Sequence, residues 1–312
     1  MPYFMTQWYV FTPLTQTELL SIQATLQEIG KNHEMNGLIL LATEGCNGTV
    51  AGPQEAVKFI KEYLITTFPI SNFQDWESDV KPFKRFKVDI RQEIVALKKS
   101  DTPTPSSSPS GRGRGADSSP FQGEGGWGEI DHVSPADFHR MLEQDDVTIL
   151  DTRNTYETAI GTFKNAIIPP LKSFHEFPNY VEKSAIPKDK PVLMFCTSGI
   201  RCEKAAEEMR SQGYEKVYQL DGGITNYIKE YPNGHWQGEC FMFDHRVAVD
   251  KNLQPSKRYA LCPSCGNPGD VRTTCIQCNM PCTLCEACLE KVPALCSKAC
   301  KHNMKYKKMP IV

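Results

Sequence analysis

The stretch Cys196-Thr197-Ser198-Gly199-Ile200-Arg201-Cys202 is the part of the chain best equipped for covalent chemistry. An apolar run, Pro191-Val-Leu-Met-Phe195, precedes it, and a helical pattern, Glu203-Lys-Ala-Ala-Glu-Glu-Met-Arg210, follows. The spacing predicts a buried strand that ends at Cys196 and a helix that begins by Arg201. The free N–H groups of a first helical turn then point at the sulfur. They favour the thiolate and lower the thiol pKa. Arg201 brings a positive charge to the same loop. For Cys202 two readings stand: a resolving thiol for a persulfide or sulfenate on Cys196, or a small buried residue.

A second constellation lies near the C-terminus. Cys262-x-x-Cys265, Cys275-x-x-Cys278, Cys285-x-x-Cys288 and Cys296-x3-Cys300 are four chelating pairs. Each sets two thiolates on one tight turn, as a tetrahedral zinc site requires. Two structural zinc ions with four thiolates each follow. In the favoured arrangement the first and third pairs share one ion and the second and fourth the other; sequential pairing is the alternative. Cys282 is left over, and His302 leaves the exact ligand set open. Cys240 receives no ligand role. Metal gives these residues a core that their few apolar side chains do not provide. With all four positions filled by thiolate, no coordination position stays open for catalysis.

Composition bounds the rest. The chain has 312 residues, room for two or three domains. Its net charge of −2 gives no global field for a polyanion, so no DNA partner is expected. No run of about 18 apolar residues occurs, so no membrane partner is expected. The N-terminus lacks a basic region followed by an apolar one, and nine of the thirteen cysteines are packed between 262 and 300, largely as metal-chelating pairs. A cytoplasmic protein is therefore expected. No flavin, haem or facial-triad iron signature is legible, and no organic cofactor is predicted.

Elements that must position these residues fall into four segments. Residues 1–99 read as a ferredoxin-like, acylphosphatase-like βαββαβ domain. Gln7–Phe11 is strand-like, and Leu19, Leu20, Ile22, Leu26 and Ile29 form a helical stripe. Gly37–Ala42 and the run from Gly48 give two strands, 53–68 a second helix, and 83–97 the last strand. Residues 100–129, dense in Pro, Ser and Gly, read as a disordered linker. Residues 130–238 alternate strand and helix, which implies a parallel sheet. Ser134-Pro135 caps a helix, Val147–Leu150 is a strand leading to Asp151-Thr152-Arg153, Asn165–Ile168 is a candidate strand, and Val217–Leu220 is another. Residues 239–312 hold the cysteine pairs and a basic tail. The predicted class is thus mixed α/β and α+β, in several domains.

Asp151-Thr-Arg153, Gly161-Thr-Phe-Lys-Asn-Ala166, the Cys196 loop and Leu220-Asp-Gly-Gly223 together resemble the successive signatures of a rhodanese domain. Thr162 stands where that family has histidine. The loop is Cys-x4-Arg, whereas phosphatases of related shape use Cys-x5-Arg. The shorter ring suits a persulfide or small sulfur oxyanion and argues against phosphatase chemistry.

Three further stretches narrow the resemblance. These are Glu44-Gly-Cys-Asn47-Gly-Thr-Val-Ala-Gly52, Pro82-Phe-Lys84-Arg85 and Gly238-Glu-Cys-Phe-Met-Phe-Asp244. Over nearly the whole chain except 100–129, it resembles the tRNA uridine(34) hydroxylase family. Cys46, where an aliphatic residue is usual, and Ser198, where glycine is common, are departures. The resemblance implies oxygen-dependent conversion of wobble uridine to 5-hydroxyuridine, molecular oxygen as co-substrate, the tRNA anticodon loop as partner and Cys196 as catalytic residue. Arg201 is its expected companion, Thr197, Ser198, Gly199 and Ile200 form the active-site loop, and Asp151 and Arg153 are accessory candidates. Glu44, Asn47, Lys84 and Arg85 are candidate substrate contacts, although Asn47-Gly48 also reads as a hairpin turn. In Lys81-Pro-Phe-Lys-Arg-Phe-Lys87, cations interleave with aromatics, which suits phosphate contact and base stacking; simple strand alternation explains it equally. Two rival functions remain. A generic sulfurtransferase needs Cys196 and Arg201 but neither flanking domain. A non-enzymatic scaffold leaves Cys196 dispensable. The oligomeric state is not legible.

Overall fold

The computed structural model describes residues 2–70, 72–97 and 131–307. The expected linker at 100–129 lies outside the described residues. The chain opens β1 (Tyr3–Phe11), α1 (Gln16–Asn32), β2 (Asn36–Ala42), β3 (Gly45–Gly52), α2 (Gln54–Thr67), β4 (Gln74–Ser78) and β5 (Phe86–Ile90). Thr15 and Glu18 form a reciprocal capping box that starts α1. Leu19, Ile22, Leu26 and Ile29 turn into the core against Trp8, Ile39, Val50 and Ile60. Leu20 instead faces solvent.

Among the described residues the strands of this sheet lie in the order β4-β1-β3-β2-β5. Its first four members are the antiparallel βαββαβ sheet. The expected final strand was placed one element too late. Gln74–Ser78 closes the motif beside β1, and Phe86–Ile90 is an added strand, parallel to β2. Gln74-Asp-Trp-Glu-Ser78 is a polar edge strand, so it lacks the β-branched signal that marks a central one. The hairpin turn between β2 and β3 is Thr43-Glu44, and Asn47 and Gly48 lie within β3, opposite Tyr9 and Trp8.

The central region runs β6 (Asp131–Val133), α3 (Pro135–Met141), β7 (Thr148–Asp151), α4 (Thr155–Thr158), β8 (Gly161–Phe163), α5 (Phe177–Lys183), β9 (Val192–Phe195), α6 (Ile200–Ser211), β10 (Val217–Leu220), α7 (Gly223–Glu230) and β11 (Trp236–Gly238). Ser134 caps α3 through the Asp137 N–H, with Pro135 in the first turn. The parallel sheet has the order β6-β10-β9-β7. Asn165–Ile168 is not a strand. Only Ile167 makes a bridge, to Leu150, while β8 pairs with β11 outside the main sheet. Strand β9 is buried on both faces, as its uninterrupted apolar run requires.

Beyond β11 come short hairpins: β12 (Cys240–Phe241) with β13 (Ala248–Val249), β14 (Ala260–Leu261) with β15 (Pro268–Gly269), and β16 (Val271–Thr274) with β17 (Pro281–Leu284). They are followed by α8 (Glu286–Leu289) and α9 (Lys298–Lys307). No helix of the described residues is long and apolar enough to cross a membrane.

Candidate active site and metal centres

Strand β9 delivers Cys196 to the start of α6. Gly199 makes the turn between them with φ of 98°, a left-handed conformation that glycine adopts without strain. The turn aims backbone donors at one atom. Gly199 N–H donates to Cys196 Sγ at 3.1 Å, and the N–H groups of Ser198 and Arg201 add to it. Burial alone pushes the Cys196 thiol up. The Cys202 thiol that donates to it, the Arg201 charge and the backbone amides more than offset that, and the pKa falls to about 6. Cys202 moves the opposite way. Burial and the neighbouring Cys196 sulfur hold it well above its ordinary value. The two neighbouring thiols are thus shifted in opposite directions, Cys196 down and Cys202 up.

Arg201 is not an open cation. Its guanidinium makes two 2.7 Å bonds to the Glu157 carboxylate, and both groups are buried. Sequence reasoning missed Glu157. It stands at the third position of α4, where it also accepts the Asn154 N–H in a capping bond and the Thr197 hydroxyl of the loop at 3.5 Å. The sequence shows the capping spacing from Asn154 to Glu157 but carries no signal for a pairing with Arg201, 44 residues away. Asp151 and Arg153 form a second buried pair, at 2.9 and 2.6 Å. Arg153 also reaches the Gly161 carbonyl, and the Thr162 hydroxyl donates to Asp151 at 2.8 Å. The threonine thereby supplies a donor to the strut that braces the strand end. The recorded contacts of Asp151 and Arg153 do not include Cys196.

The N-terminal domain covers the loop. Tyr9 Oη donates to Glu203 at 2.8 Å, and a methyl group added at Gly199 would lie 3.1 Å from that oxygen. The Gln74 amide donates to the Gly222 carbonyl at 2.8 Å and accepts from Thr225 Oγ1 at 3.1 Å. Ile200 packs with Ala42, Ile94, Tyr9 and Phe11. As a result Cys196 is 0% exposed, and Thr197, Ser198, Gly199 and Ile200 are buried with it.

Two expected substrate contacts are committed elsewhere. Glu44 accepts from the Ile94 N–H at 2.7 Å and pairs with Lys204 of α6, which also meets Glu93. Asn47 donates to the Ile94 carbonyl. Both belong to the seam between domains because the Thr43-Glu44 turn faces α6. Lys84 and Arg85 are exposed. Nearby, Lys81, Lys87 and Lys31 line a groove of about 780 Å³ on the N-terminal domain. Phe86 is not free to stack on a base, since its ring lies against Gly30 and the domain core.

The cysteine pairs interleave. Cys262, Cys265, Cys285 and Cys288 form one tetrad, and Cys275, Cys278, Cys296 and Cys300 the other. Sulfur separations of 3.5 and 3.6 Å occur in them. A tetrahedral ion with bonds of about 2.3 Å needs about 3.8 Å between sulfurs, so both tetrads fit a metal ion after a small expansion. Cys282 belongs to neither. Cys46 and Cys240 are buried without such donors, and burial pushes each up to about 12.

Comparison with known proteins follows this geometry. Residues 3–94 match the family described as UPF0176 acylphosphatase like domain, 134–230 the Rhodanese-like domain and 237–301 the Rhodanase C-terminal family. The chain is 42% identical over 310 residues to a protein of Bdellovibrio bacteriovorus named tRNA uridine(34) hydroxylase, covering 97% of this chain and 81% of that protein. Proteins of the same name from Synechococcus sp. (strain CC9605) and Rhizobium etli are 35% and 36% identical, covering 84% and 86% of this chain and 77% and 80% of theirs. Among solved structures, the rhodanese-like domain of an Anabaena protein is 22% identical over 34% of this chain and 78% of that one, with a TM-score of 0.30.

Proposed function

The chain belongs to the tRNA uridine(34) hydroxylase family, and from that premise we propose that it hydroxylates C5 of the wobble uridine of tRNA with molecular oxygen, Cys196 being the reacting group. The observation that carries this reading is the Cys196 sulfur at the end of β9, accepting the Gly199 N–H at 3.1 Å with the Cys202 thiol and the Arg201 charge beside it, a placement that favours the thiolate.

One oxygen atom of O₂ goes to C5, and the other leaves as water. That second atom requires two electrons and two protons. Oxidation of the Cys196 thiolate and the neighbouring Cys202 thiol to a disulfide supplies the two electrons and one proton, solvent supplies the other proton, and an external thiol regenerates the pair. The lowered pKa favours a second role for the same sulfur. As a thiolate it adds to C6 of the uracil, which makes C5 electron-rich, and it leaves again when the ring is restored. Arg201 and Glu157 position the loop, with Asp151 and Arg153 bracing the strand end behind it. Lys84 and Arg85, with the groove of Lys31, Lys81 and Lys87, meet the phosphates of the anticodon arm. Glu44 and Asn47 act by holding the seam rather than by touching the base. The two tetrads carry structural zinc. The functional division is 1–99, 130–238 and 239–312, joined by 100–129, and the setting is cytoplasmic.

Mass spectrometry of tRNA nucleosides from a deletion strain tests the reading. Wild type restores 5-hydroxyuridine, and Cys196→Ser restores none; restoration by Cys196→Ser sinks it. Cys202→Ser separates the two roles of sulfur. Loss of product supports the dithiol donor, and retained product leaves the C6 nucleophile alone.

A further inference from the structure

Outside the loop and the tetrads, one cluster of donors has no part in the chemistry above. His139 on α3, Glu143 just past its end and His235 just before β11 bring two imidazoles and a carboxylate within 4.8 Å of one another. They come from segments nearly a hundred residues apart. His139 and Glu143 share one side of the helix end at i,i+4 spacing, and the fold carries His235 to them through the β8–β11 pairing.

Their arrangement differs from that of ordinary ion pairs. His139 Nε2 and His235 Nε2 approach the same Glu143 oxygen at 3.9 and 3.8 Å. A charge-assisted hydrogen bond closes to about 2.8 Å. Two ligands of one tetrahedral ion, with bonds of about 2.0 Å, stand about 3.3 Å apart. The observed separations surround a common point and contract modestly onto an ion. The imidazoles are also oriented from behind. His139 Nδ1 lies 2.7 Å from Tyr227 Oη, and the same oxygen accepts the His235 backbone N–H at 3.1 Å. Tyr231 stacks on the His139 ring at 4.2 Å and 10°. This is the outer support that metal-binding histidines use to fix ring and tautomer. Glu143 is exposed, which leaves a path for entry.

We propose that His139, Glu143 and His235 bind a divalent transition-metal ion. Two imidazole nitrogens and one carboxylate oxygen fill three positions, and the rest stay open to solvent or ligand. That donor set suits Zn²⁺, Co²⁺ or Fe²⁺ and disfavours Mg²⁺ and Ca²⁺. Binding selects the His139 tautomer with its proton on Nδ1, donated to Tyr227. The ion ties α3 to the strand that leads into the cysteine-rich region. It is separate from the tetrads in ligand chemistry, and the claim does not depend on the tRNA reading.

Titration of the full-length chain with Co²⁺ provides the test. Cobalt on the thiolate tetrads shows sulfur-to-metal charge transfer in the near ultraviolet; cobalt on imidazole and carboxylate does not. Once the tetrad bands saturate, wild type is expected to bind one further equivalent, measured as metal retained per chain, without new charge-transfer intensity. Glu143→Gln, a change at an exposed side chain, weakens that equivalent at least tenfold. His235→Ala removes it while the tetrad bands stay. No further equivalent on wild type, or equal binding by both variants, overturns the proposal.

Discussion

Cys196 and Cys275 are both made acidic although both are buried, and their surroundings differ. Both sulfurs are buried, and burial acts to raise each thiol. Both are nevertheless lowered: Cys196 first by the Cys202 thiol and the Arg201 charge and then by the N–H groups of Arg201 and Ser198, Cys275 chiefly by the N–H groups of Cys296, Gln277 and Cys278. Cys275 has three further sulfurs within 4.8 Å. Cys196 has the single thiol of Cys202 and the charge of Arg201. Cys275 thus sits among sulfurs that could share a metal ion, whereas Cys196 faces one thiol and a positive charge. Cys46 and Cys240 complete the contrast, because burial without such donors leaves each at about 12, inert at neutral pH.

Removing a ligand from a tetrad is expected to have the largest effect. Structural zinc contributes about 10–16 kcal/mol of apparent binding energy in small modules. Cys285→Ser, or chelation, should lose bound metal and expose the cysteine-rich region to protease. The Cys196 pH profile should persist; its collapse would show that the two regions do not fold independently. Next comes Glu157→Gln. It leaves the Arg201 guanidinium buried without its charged partner, a change that costs about 3–5 kcal/mol, seen as a lower midpoint in denaturant. A loss under about 1 kcal/mol would mean that Arg201 finds another partner.

A smaller, more specific effect lies in pH. Alkylation of Cys196 depends on the thiolate fraction, which rises as pH increases through about 6 and is flat above it. Cys202→Ala removes a hydrogen bond to the thiolate, so the inflection should move up. An unchanged inflection would assign the acidity to the amides and Arg201 alone. Tyr9→Phe should have the smallest effect, about 1 kcal/mol of stability for one hydrogen bond, with faster alkylation of Cys196. An unchanged alkylation rate would mean that the Tyr9–Glu203 bond does not hold the cover in place.

What was legible in the sequence was local. The strand–cysteine–helix order, the Gly199 turn and the four chelating pairs are set by residues within a few positions of each other, where period and spacing carry the information. The fourth strand of the N-terminal domain was not legible because an edge strand need not alternate or be apolar, and Gln74-Asp-Trp-Glu-Ser78 does neither cleanly. The partners of the site were hidden for another reason. Glu157 for Arg201, Tyr9 for Glu203 and Gln74 for Gly222 join segments 44 to 194 residues apart. No periodicity encodes such a pairing. Only the family resemblance pointed the motif at Glu44–Gly52 towards substrate; the fold gives Glu44 and Asn47 the partners Ile94 and Lys204.

The covered sulfur has a consequence for the order of events in a catalytic cycle. Water does not reach Cys196 while Tyr9 and Gln74 bridge to the central domain, and a pyrimidine is larger than water. For the Cys196 sulfur to meet a base, those bridges must part and then re-form. While the bridges hold, the Cys196 sulfur is shielded from peroxide. RNA-free enzyme should survive an oxidant challenge that destroys it in mid-cycle, so that the substrate itself brings both the work and the risk.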